Sequence, residues 1–220
     1  MTYLIIPDIH EQHEQLKRLW ALAPPHDARV YLGDWFDSFT RTPDSTTKTL
    51  QLLLSEMRNN KNIFLLGNHD AHYLSEASPV SSGYHTNTYV QVYPHKDYLC
   101  DRMQFAVTLD DWVLSHAGFN RVQDMNEALQ TTIPYAKHGH SVWRVGRSRG
   151  GNAPFGGCMW LDWHHEFTGM DKHKQLVGHT PSHEVRHKSG NVCLDTHLRD
   201  FVVLRDGELE LHKIQQDTDE

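Results

Sequence analysis

The feature that most constrains this chain is a repeated pairing along its length. Short apolar runs stop abruptly at Gly, Asp, Asn or His, and the first of them alternate with segments of helical period. Tyr3 to Ile6 reads as a strand closed by Pro7-Asp8. Glu11 to Leu22 reads as a helix, with Leu16, Leu19 and Trp20 spaced i, i+3, i+4. Val30 to Leu32 is a second strand running into "GDWFDS". Thr46 to Asn60 is a second helix, striped by Leu50, Leu53, Leu54 and Met57, and Ile63 to Leu66 is a third strand. This alternation predicts βαβ units around a parallel sheet.

The pattern then changes. "QFAVTLDDWVLSHAG" predicts two strands about an Asp-Asp turn. "KQLVGHT", "NVCLDTH" and "FVVLRDGELELHKI" supply further strands, the last with an Asp-Gly hairpin turn. The C-terminal half is therefore expected to be antiparallel or mixed. Residues 119–173 read as irregular, and "RVGRSRGGNAPFGG" within them as a long loop of the kind that often carries function. No repeat or linker divides the chain, so residues 1–214 are expected to form one domain and residues 215–220 a solvated tail.

Composition narrows the function classes. A net charge of −7 argues against a broad basic surface for duplex nucleic acid, though bound cations would still let an anionic substrate approach. No apolar run reaches the length of a membrane span, and the N-terminus lacks a basic leader pattern. Cys100, Cys158 and Cys193 are isolated, which fits free thiols in a reducing cytoplasm. With 18 histidines in the chain, histidine identity alone says little, and position has to carry the argument.

Five polar clusters each follow a predicted strand: Asp8-Ile9-His10, Gly33-Asp34 with Asp37, Gly67-Asn68-His69-Asp70, Ser115-His116-Ala117-Gly118 and Gly178-His179-Thr180. Singly, each has an ordinary reading as a helix cap, a turn, a core histidine or a loop residue. Together they place Asp, His and Asn side chains at the carboxyl edge of parallel strands, where ligands bind. Mixed oxygen and nitrogen donors suit Mn, Fe, Zn, Co or Ni better than Ca.

The ordered set "DIH", "GDWFD", "GNHD", "SHAG" and "GHT" resembles the calcineurin-like metallophosphoesterases, closest to their phosphoprotein phosphatase and diadenosine tetraphosphatase branch. The resemblance implies a four-layer αββα sandwich, with two mixed sheets flanked by helices and a dinuclear metal site at the carboxyl edge of the strands. It assigns Asp8 and His10 to one metal, Asp34 as the bridge, and Asn68, His116 and His179 to the second. The metals would be manganese first, with Fe, Zn, Ni, Co or Mg as alternatives. A bridging carboxylate holds two cations roughly 3.5–4 Å apart, the spacing used for in-line displacement at phosphorus. His69 would protonate the leaving oxygen, oriented by Asp37. Asp70 is expected to hydrogen-bond within its turn, and His72 to lie behind the site or at the surface.

Two departures bear on substrate. Branch members usually carry Arg after the second Asp of "GDxxD" and use it to grip phosphate; Ser38 stands here. Arg147 and Arg149, beside Arg144 in the long loop, are the candidate replacements, because Arg forks match phosphate oxygens. Pro181 replaces a further histidine that many superfamily members use on the first metal, leaving it three protein ligands. Glu11 is expected to cap the first helix. Trp35, Tyr84, Trp143 and Trp160 could stack a nucleobase, with burial the favoured reading for Trp160. The implied activity is phosphomonoester hydrolysis, on a small phosphorylated molecule, a nucleotide or a phosphoprotein. The alternatives are a diadenosine tetraphosphate or other nucleotide pyrophosphohydrolase and, less favoured, an inactive scaffold. Oligomeric state is not readable from the sequence.

Overall fold

The computed structural model describes residues 1–38 and 44–214; the expected tail, 215–220, lies outside them. The chain order is β1 (Thr2–Ile6), α1 (His13–Leu22), β2 (Ala28–Tyr31), α2 (Ser45–Glu56), β3 (Ile63–Leu65), α3 (Asn68–Leu74), α4 (Thr86–Val92), α5 (Lys96–Arg102), β4 (Met103–Gln104), β5 (Ala106–Leu109), β6 (Trp112–Ser115), α6 (Val122–Gln130), β7 (Lys174–Val177), β8 (Arg186–Lys188), β9 (Asn191–Cys193), β10 (Asp200–Arg205) and β11 (Glu208–Lys213). The fold is α/β, with two mixed sheets flanked by helices.

The first sheet runs β11-β10-β1-β2-β3-β4 and the second β5-β6-β7-β9-β8. In the first, β1 to β4 are mutually parallel, β10 pairs antiparallel with β1, and β11 pairs antiparallel with β10. In the second, β6, β7 and β9 are parallel, edged by antiparallel β5 and β8.

Strand periodicity explains why the central runs are apolar at nearly every position. Ile5, Val30, Leu65, Val202 and Leu204 face Leu114, Leu176 and Val192 in the layer between the sheets. Their neighbours Leu4, Ile6, Tyr31, Phe64 and Val203 turn to the other face and pack with Leu16 and Leu19 of α1 and Leu50 and Leu53 of α2. Outside the second sheet, Val177 and Cys193 are covered by Leu161, Trp163 and Phe167 from the irregular segment, while α6 contributes Met125 and Ala128 to the main core.

Several local expectations need correction. The first helix starts at His13 rather than Glu11, and the second runs Ser45–Glu56 rather than on to Asn60. Glu11 does not cap α1; its buried carboxylate accepts hydrogen bonds from the Ser45 and Thr46 hydroxyls in the first turn of α2, the latter at 2.8 Å. It thereby ties the loop after β1 to α2. Residues 119–173 are not wholly irregular, because they contain α6 and short 3-10 turns. With Met125 and Ala128 as its buried apolar residues, α6 leaves little stripe to read. The Asp-Asp turn between β5 and β6 and the Asp206-Gly207 turn between β10 and β11 form as expected.

Candidate metal centre

The loops after β1, β2, β3, β7 and β9 meet at the carboxyl edges of both sheets, around a cavity of about 470 Å³, with His116 of the loop after β6 buried against Asp34. Local backbone conformation aims the side chains. His10, Asp34, Asp37 and His179 all adopt positive φ, at 45°, 52°, 64° and 67°. That region is costly for residues with a Cβ and clusters at functional sites. Two glycines explain part of the motif spacing. A Cβ at Gly67 would stand 2.0 Å from Asp34 Oδ1, and one at Gly178 would stand 2.0 Å from Asp8 Oδ1. Glycine is needed there for closeness to a carboxylate.

Two donor groups share Asp34. Asp8, His10 and Asp34 place one oxygen or nitrogen each within 4.8 Å of one another, and so do Asp34, His116 and His179. In the second group, His116 Nε2 lies 3.1 Å from His179 Nδ1, 3.1 Å from Asn68 Oδ1 and 3.3 Å from Asp34 Oδ2. A tetrahedron with metal–ligand bonds of about 2.1 Å has edges of roughly 3.4 Å, so these three distances are of the size expected between ligands of one ion. Two of the rings are steered from behind. His116 Nδ1 donates to Leu32 O at 2.8 Å, and His10 Nδ1 lies 3.2 Å from the carbonyls of Phe36 and Asp37. Such outer partners leave the opposite nitrogen free to ligate.

Electrostatics make the same case for a cation. Asp8, Asp34 and Asp195 are all buried. Burial, with Asp195 and Asp34 nearby, pushes Asp8 well above the carboxylate range. Burial opposes ionisation of Asp34 too, but His116, His69 and His10 hold it well below that range. Burial should depress His116, yet Asp34 and Asp8 raise it to about 10, which marks strongly anionic surroundings. His179 is lowered well below the usual imidazole range by burial, His116 and Arg149, which suits a neutral nitrogen ligand.

His69 lines the cavity with its Nδ1 3.0 Å from Asp37 Oδ2, and its backbone N–H donates to Asp34 Oδ1 at 2.9 Å. Asp37 also accepts from Tyr73 Oη at 2.5 Å. Burial would raise Asp37, but hydrogen bonds from His69, His72 and Tyr73 hold it below the usual range. Asp70 bonds within its turn as expected, and also accepts from Trp35 N at 2.8 Å, tying the second motif to the third.

The three arginines separate. Arg149 lines the cavity; its guanidinium lies 3.0 Å from Asp162 Oδ2 and donates to Thr180 Oγ1 at 3.0 Å. Arg147 is exposed and is not among the cavity-lining residues. Arg144 pairs with Asp124 and packs on Phe155. Glu166, buried, accepts from Ser148 N at 2.9 Å and Gly156 N at 2.8 Å and so shapes the arginine loop. Trp35 and Trp143 are core residues, whereas Trp160 is buried yet lines the cavity. Tyr84 stacks on Tyr73 behind His69. Sequence reasoning passed over Asp195 and His197, which line the same cavity. A signal existed: "NVCLDTH" ends a strand in Asp-x-His, as "DIH" does.

Residues 1–205 match the profile of the calcineurin-like phosphoesterases. The chain belongs to that family. A search among curated proteins finds no match. Solved structures with the same fold include a cold-active protein-tyrosine phosphatase of a psychrophilic Shewanella species, 14% identical over 97% of this chain and 80% of that one, at a TM-score of 0.58. A putative diadenosine tetraphosphatase is 17% identical over 96% and 93%, at 0.52. A protein serine/threonine phosphatase from Saccharomyces cerevisiae is 12% identical over 100% and 82%, at 0.53. At these identities the likeness speaks for the fold. Family membership makes the chain a phosphoesterase of a metal-dependent class, with candidate ligands in place. Among the described residues no helix is long and apolar enough to cross a membrane.

Proposed function

We propose that this phosphoesterase hydrolyses phosphomonoesters with two divalent metals. The observation that carries the reading is the convergence of two ligand groups on Asp34, with His69 at the same cavity. Asp8, His10 and Asp34 would hold one metal, and Asp34, Asn68, His116 and His179 the other. Manganese is the first candidate; Fe, Zn, Ni, Co or Mg would meet the same donor set. Bound metals would polarise the phosphoryl oxygens and supply a nucleophile at neutral pH.

The chain's own residues do the rest. Asp37 fixes the His69 ring at Nδ1, and His69 Nε2 carries the proton for the leaving oxygen. Burial works against that proton, but Asp34 and Asp37 raise His69 above the ordinary imidazole value. Arg149, held by Asp162 and Thr180, donates to the phosphoryl oxygens and fills the role that Ser38 cannot. Arg149 is also the one Arg or Lys among the described residues lining the cavity, which favours a single phosphate over a polyphosphate chain. The free, buried Cys100, Cys158 and Cys193 fit a cytoplasmic protein.

A substrate panel with each metal tests the reading. Release of inorganic phosphate from aryl, alkyl and peptide monoesters, abolished by chelation and restored by Mn, is expected. Preferential cleavage of diadenosine tetraphosphate to nucleotide products would replace monoester hydrolysis with pyrophosphohydrolysis. Full activity without metal would overturn the metal centre.

A further inference from the structure

Helix α3 carries a histidine that the family motifs leave without a role. His72 is buried, with no exposed side-chain surface. It sits one helical turn beyond both Asn68 and His69, at i+4 and i+3, so it lies beneath both of them. Its two ring nitrogens meet different partners. Ser81 N–H donates to His72 Nδ1 at 3.0 Å. The ring hydrogen of the neutral imidazole therefore sits on Nε2. Nε2 lies 2.9 Å from Asp37 Oδ2, and among the described residues no other acceptor serves it.

Each partner leads to a proposed chemical group. Asp37 Oδ2 is the atom that holds His69 Nδ1 at 3.0 Å. Ser81 holds Asn68 twice: its hydroxyl accepts from Asn68 Nδ2 at 3.0 Å and donates to Asn68 O at 2.8 Å. With Nδ2 committed to Ser81, Asn68 must turn its Oδ1 toward His116 Nε2, into the metal-ligand group. The same segment closes over the ring: Tyr84 meets His72 edge-on with centroids 5.2 Å apart, and His85 N–H donates to Tyr73 Oη at 3.1 Å.

We propose that His72 is a positioning residue that couples the two halves of the site. Through Nε2 and Asp37 it sets the ring of the proton donor His69. Through Nδ1 and Ser81 it sets the amide of the metal ligand Asn68. One ring thus keeps the acid and the second metal in register. The proposal rests on the reading of His69 as the acid and Asn68 as a ligand.

Two conservative variants separate the two links, because an Asn amide falls near the Nδ1 position of His and a Gln amide near Nε2. His72→Asn can still accept from Ser81 N–H but cannot reach Asp37. His72→Gln can still donate to Asp37 but leaves Ser81 without its acceptor. Two measurements are needed: Mn affinity by titration calorimetry, and kcat on an alkyl phosphate against p-nitrophenyl phosphate, whose phenolate leaves with little help from an acid. Melting curves check that each variant is folded. His72→Asn should keep Mn affinity within about twofold, with kcat falling about 10-fold on the alkyl ester and much less on the aryl ester. His72→Gln should keep the alkyl-to-aryl ratio while Mn affinity at one site falls about 10-fold, as when an outer partner of a ligand is lost. Equal losses in both variants on both measurements, or no loss in either, would reduce His72 to core packing and overturn the coupling. His69→Ala separates this from failure of the underlying reading. If it too lowers both esters equally, His69 is not the acid. If it is selective for the alkyl ester while His72→Asn is not, the acid stands and the coupling falls.

Discussion

Gly67→Ala adds one methyl group and removes no ligand, so it isolates what close approach does for the site. The backbone there has φ −95° and ψ 169°, which any residue adopts, so the substitution carries no conformational strain of its own. The methyl carbon would stand 2.0 Å from Asp34 Oδ1, 2.3 Å from Asp34 N and 2.8 Å from Asp34 Cγ. Ordinary contacts begin at roughly 3.4 Å, so the two segments must separate by more than about 1 Å. Metal sites tolerate deviations of about 0.2 Å in ligand distance. The displaced group is the carboxylate that both ligand groups share, and its Oδ1 also accepts from His69 N at 2.9 Å. The variant should therefore lose at least 10-fold in affinity at both metal sites and at least about 10²-fold in kcat/KM. Overpacking should cost about 1–3 kcal/mol of stability, a fall in Tm of roughly 2–12 °C for a chain of this size. The assay is metal content by elemental analysis after dialysis, with phosphate release and a melting curve on the same preparation. A folded Gly67→Ala with wild-type metal content and rate would refute the packing argument. Loss at one site alone would refute Asp34 as the shared ligand.

Asp34→Asn keeps the shape but removes the shared charge; metal analysis should show both ions weakened, and added Mn should not restore wild-type activity. His69→Ala should slow an alkyl phosphate by roughly 10²–10⁴ and p-nitrophenyl phosphate less, with Asp37→Asn giving a weaker version of the same pattern in steady-state kinetics. Arg149→Ala should lower kcat/KM about 10-fold or more with metal content intact, as expected for a charged hydrogen bond of about 1.5–3 kcal/mol, and Arg149→Lys should not fully rescue it. Arg147→Ala, on an exposed side chain outside the cavity, should leave the kinetics near wild type, and a comparable loss there would show that the loop rearranges over substrate.

The sequence by itself determined what is local. An apolar run of strand length followed by Gly-Asp, Gly-Asn-His-Asp or Gly-His can be read residue by residue, because strand period and turn chemistry act over a few positions. So most of the strands, the two long helices and the polar clusters that hold Asp8, His10, Asp34, Asn68, His116 and His179 were visible before any coordinates, whereas the two- and three-residue strands β4 and β8 were too short to read. Only the tertiary structure decided how those pieces combine. β10 lies beside β1 although nearly two hundred residues separate them, and the strands divide between two sheets whose facing surfaces are both apolar. Arg149 reaches the cavity and Arg147 does not, because Asp162 and Thr180 hold one and nothing in the local sequence distinguishes the two. Asp195 joined the site and His72 moved beneath it for the same reason. A side chain's direction within a loop or short helix is set by the partners packed against it. Here those partners come from other segments: Asp37 reaches His72 because β2 and β3 pair in one sheet, and Asp8 accepts from the His179 backbone N–H because the two sheets close on each other.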